Sequence, residues 1–194
     1  MLTSYFLALG RVAHSWNQLH EELAKLFCVT AALEESTGIA LWHALRSDRS
    51  QRDLLNAALD AAGRDARWST RFPAATDDIR WLLKQVNALA ERRNDAVHAP
   101  CSVITGELKQ EIAAISHSGN PRARNLRDKD IPAEFAWYEQ TADVLRQHAR
   151  ELQAALASAR DPWPERPPLP TLGQRSDRPD QHRRASTGLP RRRR

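Results

Sequence analysis

From Tyr5 to Thr30, and again from Phe135 to Leu156, apolar residues return every three or four positions along the chain. The first run reads Tyr5, Leu9, Val12, Trp16, Leu19, Leu23, Leu26 and Thr30. The second reads Phe135, Tyr138, Ala142, Leu145, Ala149, Leu152 and Leu156. A stripe of this period occupies one side of an α-helix and has no use in a strand. Two such stripes, each several turns long, need partners along most of their length, because an isolated helix in water is marginal. The expected class is therefore all-α: an antiparallel bundle of four to five helices, with an irregular insertion before the last one. A content of only 7 Gly in 194 residues favours helices further.

Five helices are legible. The first covers about Leu2 to Leu33, the second about Thr37 to Arg46, and the third about Arg49 to Ala62. Asp48 is the expected cap of the third, with Gln51 reaching back and Gly63 as its stop. The fourth runs from Asp77 to about His98, with Thr76 as N-cap and Asp77 and Asp78 at the positive end of the helix dipole. Pro100 disfavours helical geometry at Ala99 and should end it there. The last helix starts near Pro132 and ends at Asp161-Pro162. Between them, residues 100–131 read poorly. Val103-Ile104-Thr105 and Glu111 to Ser116 suit short strands, or the second a helical turn. Gly119-Asn120-Pro121 signals a turn. The polar run through Arg122, Arg124, Arg127 and Lys129 reads as an exposed loop.

Charge divides the chain in two. The net charge is +5, and all of it lies beyond residue 160. Arg166, Arg175, Arg178, Arg183, Arg184 and Arg191 to Arg194 stand there against Asp161, Glu165, Asp177 and Asp180. Residues 1–160 balance, so the bundle itself carries no global case for nucleic-acid binding. Residues 161–194, rich in Pro and Arg, read as a disordered tail. The division is a bundle at 1–160 and a tail at 161–194. Cys28 and Cys101 make no disulfide framework and read as reduced thiols. No stretch approaches the roughly 20 apolar residues of a membrane span, so a soluble, cytoplasmic protein without membrane contact is expected.

One segment breaks the apolar pattern. Ile79, Leu82, Val86, Leu89, Ala90 and Val97 share one face of the fourth helix, and Arg93 sits at its centre. A guanidinium there must meet a carboxylate such as Glu22, open onto a cleft, or reach an interface. His98 falls about 140° away, on a polar strip with Asn87, Glu91 and Asn94. Arg93 and His98 can approach one phosphate if the helix frays before Pro100, or if two copies of it face each other across a dimer axis. An imidazole with its ordinary pKa of about 6.5 can move the proton of an RNA 2′-hydroxyl. A guanidinium can hold the charge that gathers on the phosphoryl oxygens. His20-Glu21-Glu22 lacks a second His at i+4, so neither a metal nor another cofactor is expected.

Arg93-Asn94-Asp95-Ala96-Val97-His98 resembles the motif of the HEPN superfamily: an Arg, a polar residue, a few more positions, then a His. The resemblance extends loosely over residues 1–160, through a long first helix, the polar segment Ser47 to Gln51, the motif helix and a closing helix. It departs where Ala99-Pro100 follows the His, a place where relatives often have Gly. The resemblance implies a helical bundle that dimerises through its motif helices. It implies Arg93 and His98 as catalytic residues, Asn94 as the orienting one, and Glu91 and Asp95 in support. Many such proteins are ribonucleases of toxin–antitoxin or phage-defence systems, so RNA, a second copy and an antitoxin or other regulatory protein are the implied partners. Others are non-catalytic modules that bind a protein, a nucleotide or RNA. On residues alone, Glu91 and Asp95 read more simply as solvated charges.

Overall fold

A computed structural model describes residues 2–99, 101–105, 110–114, 120–126, 129–158 and 162–172. Seven helices and one two-stranded hairpin lie among them: α1 (Leu2–Thr30), α2 (Glu35–Ala44), α3 (Asp48–Ala62), α4 (Ala66–Arg71), α5 (Ala75–His98), β1 (Cys101–Thr105), β2 (Gln110–Ala114), α6 (Pro121–Asn125) and α7 (Ile131–Ser158). The fold is an all-α bundle, and the hairpin is an irregular insertion before its last helix.

The two stripes do what their period requires. Val12, Trp16, Leu19, Leu23 and Leu26 of α1 are buried, as are Phe135, Tyr138, Ala142, Leu145, Ala149, Leu152 and Leu156 of α7. The two helices pack along one another. Tyr5 meets Phe135 and Glu22 meets Arg150, so they run in the same direction. The motif helix α5 is antiparallel to its neighbours: Arg52 meets Asn87 and Asp60 meets Arg80 across α3, while Trp81 meets His148 and Arg92 meets Glu134 across α7. The bundle is thus antiparallel where α5 meets α3 and α7, and parallel where α1 meets α7.

Several ends differ from the sequence reading. α1 stops at Thr30 rather than Leu33, closed by a left-handed Ala32 (φ 53°) and by the Leu33 amide donating to the Cys28 carbonyl at 2.9 Å. This is the usual glycine stop built without glycine, at a conformational cost of about 1–2 kcal/mol. Ser47, not Asp48, caps α3 by accepting from the Ser50 amide at 3.1 Å, and Asp48 and Gln51 are used elsewhere. α5 begins at Ala75 with no side-chain cap, so Thr76 does not play that role. At its other end Ala99 is extended (ψ 125°), as the following proline demands.

Residues 101–105 and 110–114 pair antiparallel, with Val103 opposite Ile112, so both candidate segments are strands. The polar run after Asn120 is not simply a loop. Pro121–Asn125 is helical, Asn120 caps it by accepting from the Arg122 amide at 3.0 Å, and Ala123 and Leu126 are buried. Pro100, Ser116, Gly119, Arg127 and residues 173–194 lie outside the described residues. α4 had no signal strong enough to be read.

The boundary expected at Asp161 falls too early. Residues 162–172 form an extended strap against the bundle, with Trp163 and Leu169 packed on the core. Trp163 Nε1 and Arg166 Nε both donate to the carboxylate of Asp78, at 2.6 and 2.5 Å, and Trp137 Nε1 donates to the Pro170 carbonyl at 2.8 Å. Asp78 is buried, so its truncation strands two donors. Asp78→Ala is expected to lower unfolding free energy by about 1–3 kcal/mol, with the half-exposed Arg166 contributing the smaller share. Limited proteolysis should then cut within 162–172 under conditions that spare the parent chain.

A second tight spot lies where α1 meets α2. Gly38 is buried against Cys28, and a Cβ on it would collide with Cys28 Sγ. Gly38→Ala should destabilise the chain by about 1–3 kcal/mol in denaturant titrations. Adding Cys28→Ala, which opens the space, should restore most of the loss.

Candidate active site

α5 carries the motif on its last two turns and remains helical through His98. Arg93 turns inward, half-buried. Its Cζ stands 5.8 Å from the ring centre of Trp16 on α1, and its Nη1 donates to Asn94 Oδ1 at 3.1 Å. Its Nε is buried with no acceptor among the described residues. The ion pair with Glu22 does not form. Glu22 is occupied instead by Lys25 at 3.3 Å and Arg150 at 3.4 Å. His98 stays exposed on the final turn, next to Val97, an exposed apolar side chain.

The structure therefore brings Arg93 and Asn94 together and leaves His98 on the outer side. Asp95 is not a free solvated charge. It accepts from Arg122 Nη1 at 3.1 Å and Asn125 Nδ2 at 3.0 Å, fastening α6 to the motif helix. Glu91 is exposed, and its charge reaches the guanidinium of Arg52.

Behind Arg93 lies a polar cluster that the sequence reading missed. Asp48 Oδ2 accepts from Trp16 Nε1 at 2.7 Å. Arg52, buried on α3, donates from Nε to Asn87 Oδ1 at 2.7 Å, and its Nη1 lies 3.3 Å from His20 Nε2. The His20 Nδ1 lies 3.1 Å from Gln51 Oε1, and Gln51 Nε2 donates to the Trp42 carbonyl at 3.1 Å. These contacts fix the tautomer. Arg52 can only donate, so Nε2 of His20 accepts and its Nδ1–H donates to Gln51. Burial holds this imidazole neutral by lowering its pKa to about 4; Asp48 opposes the shift and the nearby Arg52 adds to it. The Arg52 pKa is also lowered, chiefly by burial.

Two guanidiniums thus flank one indole, with Arg52 Cζ 5.6 Å and Arg93 Cζ 5.8 Å from the Trp16 ring centre. Each such contact is worth about 0.5–2 kcal/mol. Tyr138 of α7 completes the surroundings. Its hydroxyl is buried without a hydrogen-bond partner among the described residues, and burial raises its pKa, while the charge of Arg93 acts the other way. A signal for the cluster did exist. Arg52 stands three and seven residues before Leu55 and Leu59 on the buried face of α3, as Arg93 stands among the apolar residues of α5. His20 follows Trp16 by four residues on α1.

Chemically, this arrangement offers an inward guanidinium without a carboxylate partner, an outward imidazole at the end of the same helix, and a hydrogen-bonded network of Asp48, Arg52, a neutral His20 and Gln51 around the indole beneath the guanidinium. Among the described residues no group of three or more His, Cys, Asp or Glu side chains could hold a metal ion, and no helix is long and apolar enough to cross a membrane. Comparison with models of protein families, with curated proteins and with solved structures found no match to this chain.

Proposed function

We propose that this chain is an endoribonuclease of HEPN type that cleaves RNA without a metal, by attack of a 2′-hydroxyl on the neighbouring phosphorus. Its centre is assembled from the motif helices of two copies. The observation that carries this reading is the environment of Arg93. A guanidinium on the inner side of a bundle is ordinarily matched to an acid; this one rests on an indole, bonds its neighbouring carboxamide and keeps a buried N–H unused.

The proposed roles derive from position. His98 moves the proton of the attacking or leaving oxygen. Arg93 meets the charge that develops on the phosphoryl oxygens. Asn94 orients Arg93 through the bond they share. Glu91 and Asp95 support from the same helix, Asp95 by holding α6. Because α5 does not fray before His98, a single copy keeps the two motif residues on different sides. A two-fold axis beside His98 and the exposed Val97 brings the imidazole of one copy toward the guanidinium of the other. Such a nuclease suits a toxin–antitoxin or phage-defence role with a regulatory partner. Cleavage of single-stranded RNA in the presence of a chelator, lost on substitution of Arg93 or His98, tests the reading.

One observation favours a second reading, a non-catalytic module binding a protein, a nucleotide or RNA. Within one copy, Arg93 faces in and His98 faces out. In that case neither substitution would alter RNA integrity, and Arg93→Ala would act on binding alone.

A further inference from the structure

We infer that the cleft between α3 and α5 is a phosphate-binding subsite that holds the RNA backbone several nucleotides away from the cut; this rests on the RNA reading above. The cleft has a volume of about 370 Å³. At about 30 Å³ per water, it takes a phosphate together with the water around it. Arg52, Arg80 and Lys84 line it against one carboxylate, that of Asp53. Arg80 is already paired with Asp60 at 2.8 Å. Arg52 and Lys84 are left as the lining cations without an ion pair among the described residues.

Arg52 is the unusual member. It is only 7 % exposed, yet its hydrogen bonds go to two neutral groups, Asn87 Oδ1 and His20 Nε2. Asp48 and Asp53 act on it only from farther off. A buried guanidinium with neutral partners keeps its charge for an anion that enters the cleft. Because Arg52 can only donate, Asn87 must turn Oδ1 toward it, and the Nδ2 hydrogens of Asn87 remain to donate. Asn56 of α3 adds a second carboxamide to the lining. Guanidinium, ammonium and carboxamide N–H groups together are the donors that bind phosphate oxygens.

The cleft stands on the His98 side of the motif helix. Arg80 and His98 are about five full turns apart at 3.6 residues per turn, so they lie on one line, and Lys84, Asn87, Glu91 and Asn94 fall within about 40° of it. From Lys84 to His98 the helix rises about 21 Å at 1.5 Å per residue. About six nucleotides of stacked strand, at about 3.4 Å each, cover that distance. Glu91 interrupts the line with a negative charge, so the strand is held at two points, the cleft and the motif, rather than along a continuous track. On the other side of α5, the cavity bounded by Arg92 and Tyr138 measures about 20 Å³, room for one water and no phosphate. A bundle whose first 160 residues are charge-balanced has no general attraction for a phosphate backbone, so a local set of donors must supply it.

The test uses the full chain and a fluorescein-labelled single-stranded 2′-O-methyl RNA of about twelve nucleotides, twice that span. It binds but cannot undergo 2′-hydroxyl attack. Affinity is read by anisotropy at low and moderate salt. Lys84→Ala should weaken binding by about three- to tenfold, whatever the RNA sequence, and reduce the slope of log affinity against log salt by about one. Lys84 is exposed and makes no ion pair among the described residues, so the variant keeps its fold. Asn56→Asp, which adds a carboxylate to the cleft, should act in the same direction, and Lys84→Arg should hold affinity within about twofold. Arg64→Ala removes an equal charge beyond the end of α3, outside the cleft, and should change neither affinity nor slope. Unchanged affinity in Lys84→Ala overturns the inference. So does an equal loss in Arg64→Ala, which would make the effect one of total charge. The side-chain amide NMR signals of Asn56 and Asn87 separate the sources of phosphate. The RNA should shift them at concentrations where inorganic phosphate does not; shifts with inorganic phosphate and none with RNA would make the cleft a site for the free ion and overturn the RNA assignment. Binding that depends on Lys84 in a protein that cuts no RNA would keep the subsite and remove the nuclease. Cutting by a protein whose RNA affinity ignores Lys84 would do the reverse.

Discussion

In a buffer with EDTA and no added metal, the full chain is expected to cut single-stranded RNA, and His98→Ala to slow the cutting by about 10²–10⁴-fold. Arg93→Ala should cost about 10²–10³-fold, the usual loss when one donor to a developing oxyanion is removed. The two effects come with little loss of fold. His98 is exposed. Arg93 has no carboxylate to strand, only an indole contact and a bond to Asn94, so its removal should lower stability by about 1–2 kcal/mol. A buried ion pair would have cost about 3–5 kcal/mol. Mixing the two inactive proteins carries the sharper consequence. If each centre takes Arg93 from one copy and His98 from the other, a mixed dimer holds one intact centre, and random mixing should restore about a quarter of the parent activity. Centres built within one copy would restore none, since neither chain then has both residues. RNA cleavage that survives both substitutions, or that requires Mg²⁺, removes the nuclease proposal.

The sequence was most informative where one physical cause acted alone. The periods of α1 and α7 placed their buried faces because nothing but helix geometry competes there. The motif helix ended where Pro100 forbids helical backbone at Ala99. Reading failed where two causes competed. α1 ends on Ala32, whose left-handed backbone is held by the Leu33–Cys28 bond rather than by residue type, so no glycine marked the stop. Asp48 and Gln51 fit a local cap by sequence but spend their hydrogen bonds on Trp16, Trp42 and His20. The run after Asn120 looked solvated because its charges dominate, yet Ala123 and Leu126 suffice to dock a short helix, with Arg122 clasped by Asp95. The strap misled for a related reason. Proline and arginine lower the odds of a packed core, but Trp163, Leu169 and three side-chain hydrogen bonds hold a stretch that needs no core of its own. At the candidate site, Arg93 was legible as an anomaly on an apolar face. The network beneath it was not, because its members come from α1, α3, α5 and α7.

That network makes the stability of the chain depend on pH in a direction that can be stated. An unfolded His20 takes up its proton near pH 6.5, whereas the folded one does so only near 4. Between those values the unfolded chain holds more protons, so acidification favours unfolding. The stabilisation from keeping the imidazole neutral is present above pH 6.5 and is lost as pH falls toward 4. At about 1.4 kcal/mol per unit, the loss amounts to roughly 3 kcal/mol. His20→Gln keeps an acceptor for Arg52 and removes the titration. Denaturant titrations between pH 7.5 and 4 should therefore show the parent chain losing roughly 3 kcal/mol more than the variant. His148 is also buried, with both ring nitrogens unpartnered among the described residues, and burial lowers its pKa too; it adds the same sign in both proteins and cancels from the comparison. Equal losses would mean that His20 is not the buried neutral partner of Arg52. The consequence extends to the motif. A proton on His20 faces the Arg52 guanidinium at 3.3 Å and breaks the contact that helps fix Trp16, the ring on which Arg93 rests. RNA cleavage by the parent should then fall more steeply than cleavage by His20→Gln as pH approaches 4, where the folded His20 takes up its proton. That difference isolates loss of the platform from any acid effect that both proteins share.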